Sequence, residues 1–201
     1  MKKRIAVLAS GRGSNFQAIL DALRDGRIPA ECVRLFTDNK KAYAIERART
    51  AGVPVMVVDF SGFPGRDAYE QALLRELKAC DPDLIVLAGY MRIVGKGIVS
   101  EFAGRMINIH PALLPSFPGL HGQRQALEHG VKVAGCTVHF VDENLDGGPI
   151  IVQRCVPVLD TDDEDTLSAR ILEQEHRCLP EAIRLFCEGR LAIEGRRVII
   201  R

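Results

Sequence analysis

Short apolar runs alternate with amphipathic helical patterns along the first half of the chain, and this alternation constrains the fold more than any other sequence feature. An apolar strand at residues 4–9 leads through a glycine-rich turn at residues 10–15 into a helical pattern at residues 16–26. A buried strand, such a turn and a helix open a βαβ unit. The alternation therefore predicts an α/β protein with a mostly parallel, twisted sheet and helices on both faces.

The remaining elements follow the same periodicities. The predicted strands are residues 32–37, 55–58, 84–88, 106–110, 134–141 and 150–158, and the predicted helices are residues 42–51, 66–77, 97–102 and 123–129. A capping box at residues 161–164 begins a long helix that we expect to be bent or broken at Pro180. The strands at 134–141 and 150–158 are close enough to pair antiparallel, and residues 191–200 predict a small hairpin.

The charge balance limits the partners that the chain can bind. Its 27 basic and 26 acidic side chains are interleaved and give a net charge of +1, which provides no broad field for a polyanion. No run approaches the ~20 apolar residues of a membrane span, and the apolar run at residues 5–9 is too short for a signal peptide. We expect a cytoplasmic protein that has small-molecule substrates and neither nucleic acid nor membrane partners. The sequence is compatible with a homodimer.

The six cysteines carry no function that the sequence reveals. They form no C-x-x-C pair and have no histidine at ligand spacing, so we expect reduced, partly buried thiols and no metal site.

The strand at residues 106–110 holds the candidate chemistry. Its alternation places Asn108 and His110 on one face, and Pro111 ends the strand. Asn108 can donate a hydrogen bond to a carbonyl that becomes an oxyanion, and His110 can donate a proton to it. Asp146, an acid in a glycine-rich loop, is the candidate partner that would raise the pKa of His110. The residues alone leave open another interpretation, in which His110 is a buried, hydrogen-bonded histidine and Asn108 and Asp146 only form turns.

The glycine-rich turn predicts an anion site at the beginning of the first helix. Gly13, Ser14 and Asn15 would supply amide and side-chain donors to a single phosphate. A dinucleotide is disfavoured because Phe16 occupies the third glycine position of that fingerprint. A tight turn with a helix cap remains open. Asp38, near the place of a ribose-binding acid, is predicted to lie in a turn.

A second ligand-binding segment follows the buried strand at residues 84–88. Ligands bind outside the carboxyl ends of parallel strands, so we expect the loop at residues 89–94, the glycine-rich turn and His110 to share one cleft. Met91, Ile93 and Val94 could line an apolar slot there. Arg66 begins a helix where its charge opposes the helix dipole, which indicates either a ligand contact or a solvated side chain.

Several separated motifs occur in one order and together resemble the folate-dependent formyltransferases. They are Asn108-Ile109-His110-Pro111, Leu113-Leu114-Pro115, Pro118-Gly119-Leu120-His121 and Leu145-Asp146-Gly147-Gly148-Pro149. Three further motifs narrow the resemblance to members that formylate glycinamide ribonucleotide: Gly11-Arg12-Gly13-Ser14-Asn15, Gly89-Tyr90-Met91-Arg92 and Gln174-Glu175-His176. The resemblance extends from Ile5 to about Gly189. It implies a Rossmann-like formyltransferase fold in one domain, residues 1–201, with a phosphate-binding half at 1–105 and a catalytic half at 106–201.

The resemblance also implies roles for individual residues. The formyl donor would be 10-formyltetrahydrofolate and the acceptor the amine of glycinamide ribonucleotide, with no metal. The implied catalytic residues are Asn108, His110 and Asp146; the substrate-binding residues are Gly13, Ser14 and Asn15 at the phosphate and Glu175 at the ribose; the donor-binding residues are Arg66, Met91, Arg92, Ile93, Val94 and Asn108. Ala112 and Gln123 stand where relatives often have serine and a second histidine, which affects loop details only.

Overall fold

The structure, a computed structural model, describes residues 2–201 and divides into two compact units, Met1–Ile107 and Asn108–Arg201. The first unit alternates strands and helices as predicted. Its elements are β1 (Lys3–Leu8), α1 (Ser14–Arg24), β2 (Ala30–Thr37), α2 (Ala44–Thr50), β3 (Val55–Val57), a 3₁₀ turn (Phe60–Gly62), α3 (Arg66–Cys80), β4 (Leu84–Leu87) and α4 (Lys96–Glu101). Its strands pair in parallel in the order β3-β2-β1-β4.

The strand β5 (Met106–His110) has the predicted bounds and crosses the division between the units. The second unit continues with α5 (Gly122–His129), β6 (Val133–Phe140), β7 (Ile150–Pro157), α6 (Glu164–Cys187), β8 (Leu191–Glu194) and β9 (Arg197–Ile200). Strand β6 pairs antiparallel with β7, β7 pairs parallel with β9, and β9 pairs antiparallel with β8. The predicted α/β class, with antiparallel strands toward the C-terminus, is confirmed. The division into one domain of two halves stays a prediction.

The two inner strands of the first unit explain why its sheet is parallel. The side chains of Ile5 to Leu8 on β1, and of Leu84 to Val86 on β4, are completely buried. A strand that is covered on both faces has a continuous apolar sequence, and such burial is typical of parallel sheets flanked by helices. Polar groups are therefore left to the strand ends, where the loops that carry the candidate site begin.

The structure corrects two details of the predictions about α6. The helix continues through Pro180, so the predicted break is wrong, while the predicted bend stays a prediction. Proline removes one backbone hydrogen bond, but Pro180 and its neighbours Leu179, Ala182 and Ile183 are buried, and their packing holds the helix together. The capping box also lies two residues later than predicted: Asp163 accepts a bond from the Thr166 amide at 2.8 Å, and the Thr166 hydroxyl accepts one from the Asp163 amide at 3.0 Å.

Among the helices of residues 2–201, none combines the length and apolarity that a bilayer crossing requires.

Candidate active site

Asn108 and His110 emerge side by side at the end of β5, and both face Asp146. The carboxylate Oδ2 of Asp146 lies 3.4 Å from His110 Nδ1, and its Oδ1 lies 3.5 Å from the amide nitrogen of Asn108. The side chains of His110 and Asp146 are 5% and 9% exposed. The second unit thus brings together the three side chains predicted as the catalytic trio, and those of His110 and Asp146 are almost completely buried.

The backbone around Asp146 holds its carboxylate in place. The amide of Gly119 donates to Asp146 Oδ2 at 2.8 Å, and Asp146 itself adopts a left-handed conformation with φ of 50°, which aspartate and asparagine tolerate better than most residues. Gly148, two residues later, passes so close to β6 that an added Cβ would lie 1.8 Å from the Phe140 carbonyl oxygen. Glycine at position 148 therefore allows the loop that carries Asp146 to lie against β6.

His139 joins the cluster, and sequence reasoning missed it. Its Nδ1 donates to the Phe140 carbonyl at 2.9 Å, so in the neutral ring Nε2 carries the lone pair and accepts from the Asn108 amide at 3.2 Å. That bond also fixes which end of the Asn108 carboxamide is nitrogen. The signal was present in the sequence, since Thr137 and His139 share one face of β6, but nothing local showed that this face meets Asn108.

Thr137, which shares a face of β6 with His139, forms hydrogen bonds to the loop that follows β5. Its hydroxyl donates to the Ala112 carbonyl at 2.7 Å and accepts from the Leu114 amide at 3.1 Å. Gln153 on β7 donates to the same hydroxyl and to the Leu114 carbonyl, at 3.0 and 2.8 Å. The backbone that follows His110 is therefore anchored to β6 by buried hydrogen bonds and to β7 by partly buried ones.

Both ring nitrogens of His110 face acceptors. Nε2 donates to the Phe117 carbonyl at 2.8 Å, and Nδ1 faces Asp146. We expected Asp146 to raise the pKa of His110. Asp146 does so, but the pKa of His110 is lowered overall, so the expected direction is wrong. Burial lowers the pKa of His110 by more than the Phe117 carbonyl and Asp146 raise it, and His139 lowers it further. The resting ring is therefore neutral near pH 7, with its proton on Nε2 and its lone pair directed toward Asp146.

Burial also raises the pKa of Asp146, but His139, the Gly119 amide and His110 lower it by more, so the carboxyl group titrates below its ordinary value and is ionised near neutrality.

The pKa of His110 can be measured directly. We expect its imidazole resonances to titrate below pH 6.5 in wild-type protein, and at still lower pH in Asp146→Asn, because that change removes the charge that favours the imidazolium. A base whose pKa is lowered by folding contributes stability above about pH 6.5 that is lost as the pH falls through the folded pKa. NMR of ring-labelled histidine gives the value, with the exposed Asp160→Asn as control. Titration above 6.5 would contradict the assignment.

The glycine-rich turn of the first unit ends in an uncapped helix. Gly13 occupies the N-cap of α1 with φ of 67°, no side chain caps the helix, and its first turn contains no acid. An added Cβ on Gly13 would lie 2.8 Å from the Ala44 Cβ, so only glycine allows this approach of α2. Arg47 braces the turn by donating to the Arg12 carbonyl at 2.9 Å. Amides at such a helix end are suited to an anion.

The loop at residues 89–94 lies beside this turn. The Ser10 amide donates to the Gly89 carbonyl at 3.0 Å, and the Met91 amide donates to the Ser10 hydroxyl at 2.9 Å. Met91 and Ile93 are 63% and 64% exposed, so both side chains are accessible to an apolar ligand, and the predicted slot stays a prediction. The first unit therefore brings together two of the predicted binding segments. The shared cleft with His110 stays a prediction.

The remaining predicted residues have separate surroundings. Arg66 begins α3 as predicted, and its guanidinium pairs with Glu70 at 2.5 Å. Arg92 pairs with Asp38 at 2.9 Å, so Asp38 is more than a turn residue. Glu175 is buried within α6. Within residues 2–201 no group of three or more histidine, cysteine or acidic side chains is arranged to hold a metal ion, and all six cysteines are free thiols.

Comparison with known proteins agrees with this geometry. The sequence pattern of the family described as formyl transferase matches residues 3–183. Glycinamide ribonucleotide transformylase 1 from Symbiobacterium toebii has 57% sequence identity and a TM-score of 0.97, with 99% of this chain and 94% of that chain covered. Phosphoribosylglycinamide formyltransferase from Escherichia coli (strain K12) is 48% identical over 187 residues, which are 93% of this chain and 88% of that protein.

A longer relative contains a similar segment. The trifunctional purine biosynthetic protein adenosine-3 of Drosophila pseudoobscura pseudoobscura is 50% identical over 192 residues, which cover 94% of this chain. The chain spans 14% of the length of that protein. On the family pattern and on the similarity along nearly its whole length, the chain belongs to the formyl transferase family.

Proposed function

We propose that the chain is a phosphoribosylglycinamide formyltransferase, which moves a formyl group from 10-formyltetrahydrofolate to the amine of 5-phosphoribosylglycinamide and releases tetrahydrofolate. The observation that carries this proposal is the buried cluster in which Asn108 and His110 both face Asp146, in a chain of the formyl transferase family. Binding alone needs no neutral imidazole beside a buried carboxylate, whereas proton movement during acyl transfer does.

The uncapped end of α1 is suited to the substrate phosphate. Gly13, Ser14 and Asn15 would surround it with hydrogen-bond donors at the beginning of α1, where the helix dipole favours negative charge. The apolar slot with Met91 and Ile93 at its rim would take the flat ring of the donor. The proposed acceptor carries a phosphate, and the proposed formyl donor carries a flat fused ring.

We assign the other binding roles by the same resemblance. Glu175 would bind the ribose. Arg66, the residues Met91, Arg92, Ile93 and Val94, and Asn108 would bind the donor. The pairing of Arg66 with Glu70 would have to be shared or exchanged when a carboxylate of the donor arrives.

The chemistry follows from the protonation states. The neutral substrate amine attacks the formyl carbon, and the carbonyl oxygen becomes an oxyanion. The Asn108 N–H that is only loosely held by Asp146, at 3.5 Å, turns to this oxygen, while the other N–H stays on His139. Hydrogen bonds that stabilise an oxyanion in this way commonly contribute more to the rate of acyl transfer than any other interaction.

His110 then carries the proton between the two nitrogens. Nδ1 accepts it from the attacking amine, directly or through a water, and the imidazolium so formed is stabilised by Asp146 and by the nearby oxyanion. Collapse of the tetrahedral intermediate breaks the bond from carbon to the folate nitrogen, which receives the proton. The substrate amine loses one hydrogen and gains the formyl group. The folate nitrogen loses the formyl group and gains a hydrogen.

An absorbance assay tests the proposed function. Purified protein is mixed with a 10-formyl folate analogue, and the deformylated product is followed with and without glycinamide ribonucleotide. We expect product only when the amine is present. Release without the amine would indicate a 10-formyltetrahydrofolate hydrolase, and no release in either case would indicate a non-catalytic sugar-phosphate binding module. Each of these two outcomes would refute the proposal.

A further inference from the structure

Arg92 is held by an acid and two aromatic rings of the first unit. Its Nε donates to Asp38 Oδ2 at 2.9 Å, and its guanidinium carbon lies 4.2 Å from the centre of the Phe60 ring and 5.6 Å from that of Tyr69. The side chain of Asp38 is 10% exposed and that of Arg92 is 37% exposed. A planar guanidinium can stack on a ring and bond a carboxylate at the same time, which an ammonium group cannot do.

The rings under Arg92 connect α3 to the loop at residues 89–94. Phe60 and Phe63 meet the Tyr69 ring edge-on, with centroids 5.4 and 5.7 Å away, and the hydroxyls of Tyr69 and Tyr90 are hydrogen-bonded to each other. Burial raises the pKa of Tyr90, and its bond to Tyr69 raises it further, so this link is between neutral groups. Tyr90 and Arg92 therefore attach the loop to the first turns of α3.

Asp38 depends on Arg92 for its charge balance. Its Oδ1 is buried and, among residues 2–201, has no hydrogen-bond partner, so the bond from Arg92 to Oδ2 is the contact that offsets the cost of burying the carboxylate. The dependence is mutual, because Asp38 directs the guanidinium onto the Phe60 ring. Neither side chain belongs to the proposed catalytic cluster, and the predicted turn at Asp38 does not require a partly buried ion pair.

We propose that Asp38 and Arg92 form a positioning pair that fixes the loop at residues 89–94 as a preformed wall of the formyl-donor site. Arg92, which we assign to donor binding, also holds the loop that carries Met91 and Ile93, and Asp38 acts through Arg92. The inference rests on the proposed function, which puts the donor at this loop. A preformed wall removes an ordering cost that would otherwise be subtracted from donor affinity, so the pair affects donor binding and leaves substrate binding and chemistry alone.

Asp38→Asn is the sharpest test, because asparagine keeps the size and one acceptor of aspartate and removes the charge. We expect the KM for the formyl donor and the calorimetric Kd for tetrahydrofolate to rise about tenfold, the order of effect known for outer partners of ligating groups at metal sites. The KM for glycinamide ribonucleotide and kcat should stay within about twofold of wild type. Arg92→Lys should shift the same two donor constants, since it keeps the charge but loses the planar stack.

Asp83→Asn is the matched control. Asp83 also pairs with a cation in the first unit, Lys3 at 2.8 Å, and is partly exposed, so its loss should leave the donor constants unchanged. An unchanged donor KM in Asp38→Asn would overturn the positioning pair. So would a uniform change of kcat and both KM values with a lower Tm, which would indicate a general structural role. If wild-type protein transfers no formyl group, the proposed function fails and the inference fails with it; if it does, these variants test the inference alone.

Discussion

Asp146→Asn should lower kcat about a thousandfold while the fold survives. The change removes the charge that stabilises the His110 imidazolium and leaves an uncharged amide among His110, Asn108 and His139. Loss of one preorganised group at an oxyanion site typically costs a hundredfold to a thousandfold, and here one substitution disturbs both the proton carrier and the orientation of the oxyanion donor. Steady-state kinetics with both substrates measures the effect.

Asp146→Asn should change the rate of the reaction with little change in the stability of the fold. Asparagine tolerates the left-handed backbone of residue 146 and can still accept the Gly119 amide, so the Tm should change by no more than a few degrees. Asp160→Asn is the control, because Asp160 forms an exposed ion pair with Lys132 and its loss should leave kcat unchanged. A kcat for Asp146→Asn within about fivefold of wild type would exclude the proposed role of Asp146.

Gly148→Ala should be the most destabilising single methyl addition near the site. The new Cβ would lie 1.8 Å from the Phe140 carbonyl oxygen and 3.4 Å from the Asp142 amide nitrogen. Neither atom is the end of a flexible side chain, so the loop or β6 must move. Overpacking commonly costs 1–3 kcal/mol and occasionally more; with a clash against backbone we expect about 3 kcal/mol, which lowers the Tm by roughly 6–12 °C in a protein of this size.

Gly97→Ala provides the comparison for Gly148→Ala. Gly97 lies in α4, and an added Cβ there meets nothing within 4 Å. Alanine favours a helix over glycine, so the Tm should stay the same or rise slightly. Thermal unfolding followed by circular dichroism compares the two variants. Equal Tm values for Gly148→Ala and wild type would show that the loop holding Asp146 relaxes freely.

The elements that the sequence predicted best are those with strong local periodicity. The bounds of β5 are as predicted, because five alternating residues end at a proline. Asp146 could be identified because it stands among glycines that serve a close backbone approach. In each case the residues that cause the feature lie within a few positions of it, so the local sequence is sufficient to predict it.

What the sequence did not reveal depends on packing between distant residues. The hydrogen bond from His110 to the Phe117 carbonyl uses a backbone atom that every residue possesses. The direction of the His110 pKa shift reflects burial of the ring, and burial is a property of the assembled unit. Pro180 shows the same limit, since the local rule favours a break and the surrounding apolar contacts override it. The Asp38–Arg92 pair joins two loop positions whose proximity no spacing rule predicts.

The proposed catalytic cluster comes from one continuous piece of chain, since its side chains all lie within residues 108–146, from the middle of β5 to the loop before β7. A hybrid in which residues 108–149 are exchanged with those of a relative would therefore inherit the whole proposed proton-transfer cluster together with the hydrogen bonds among its side chains. The recipient would keep the proposed phosphate-binding turn and the proposed donor-binding loop. Reaction type and substrate choice could then be varied separately, which offers a direct route to transferases with new acceptors.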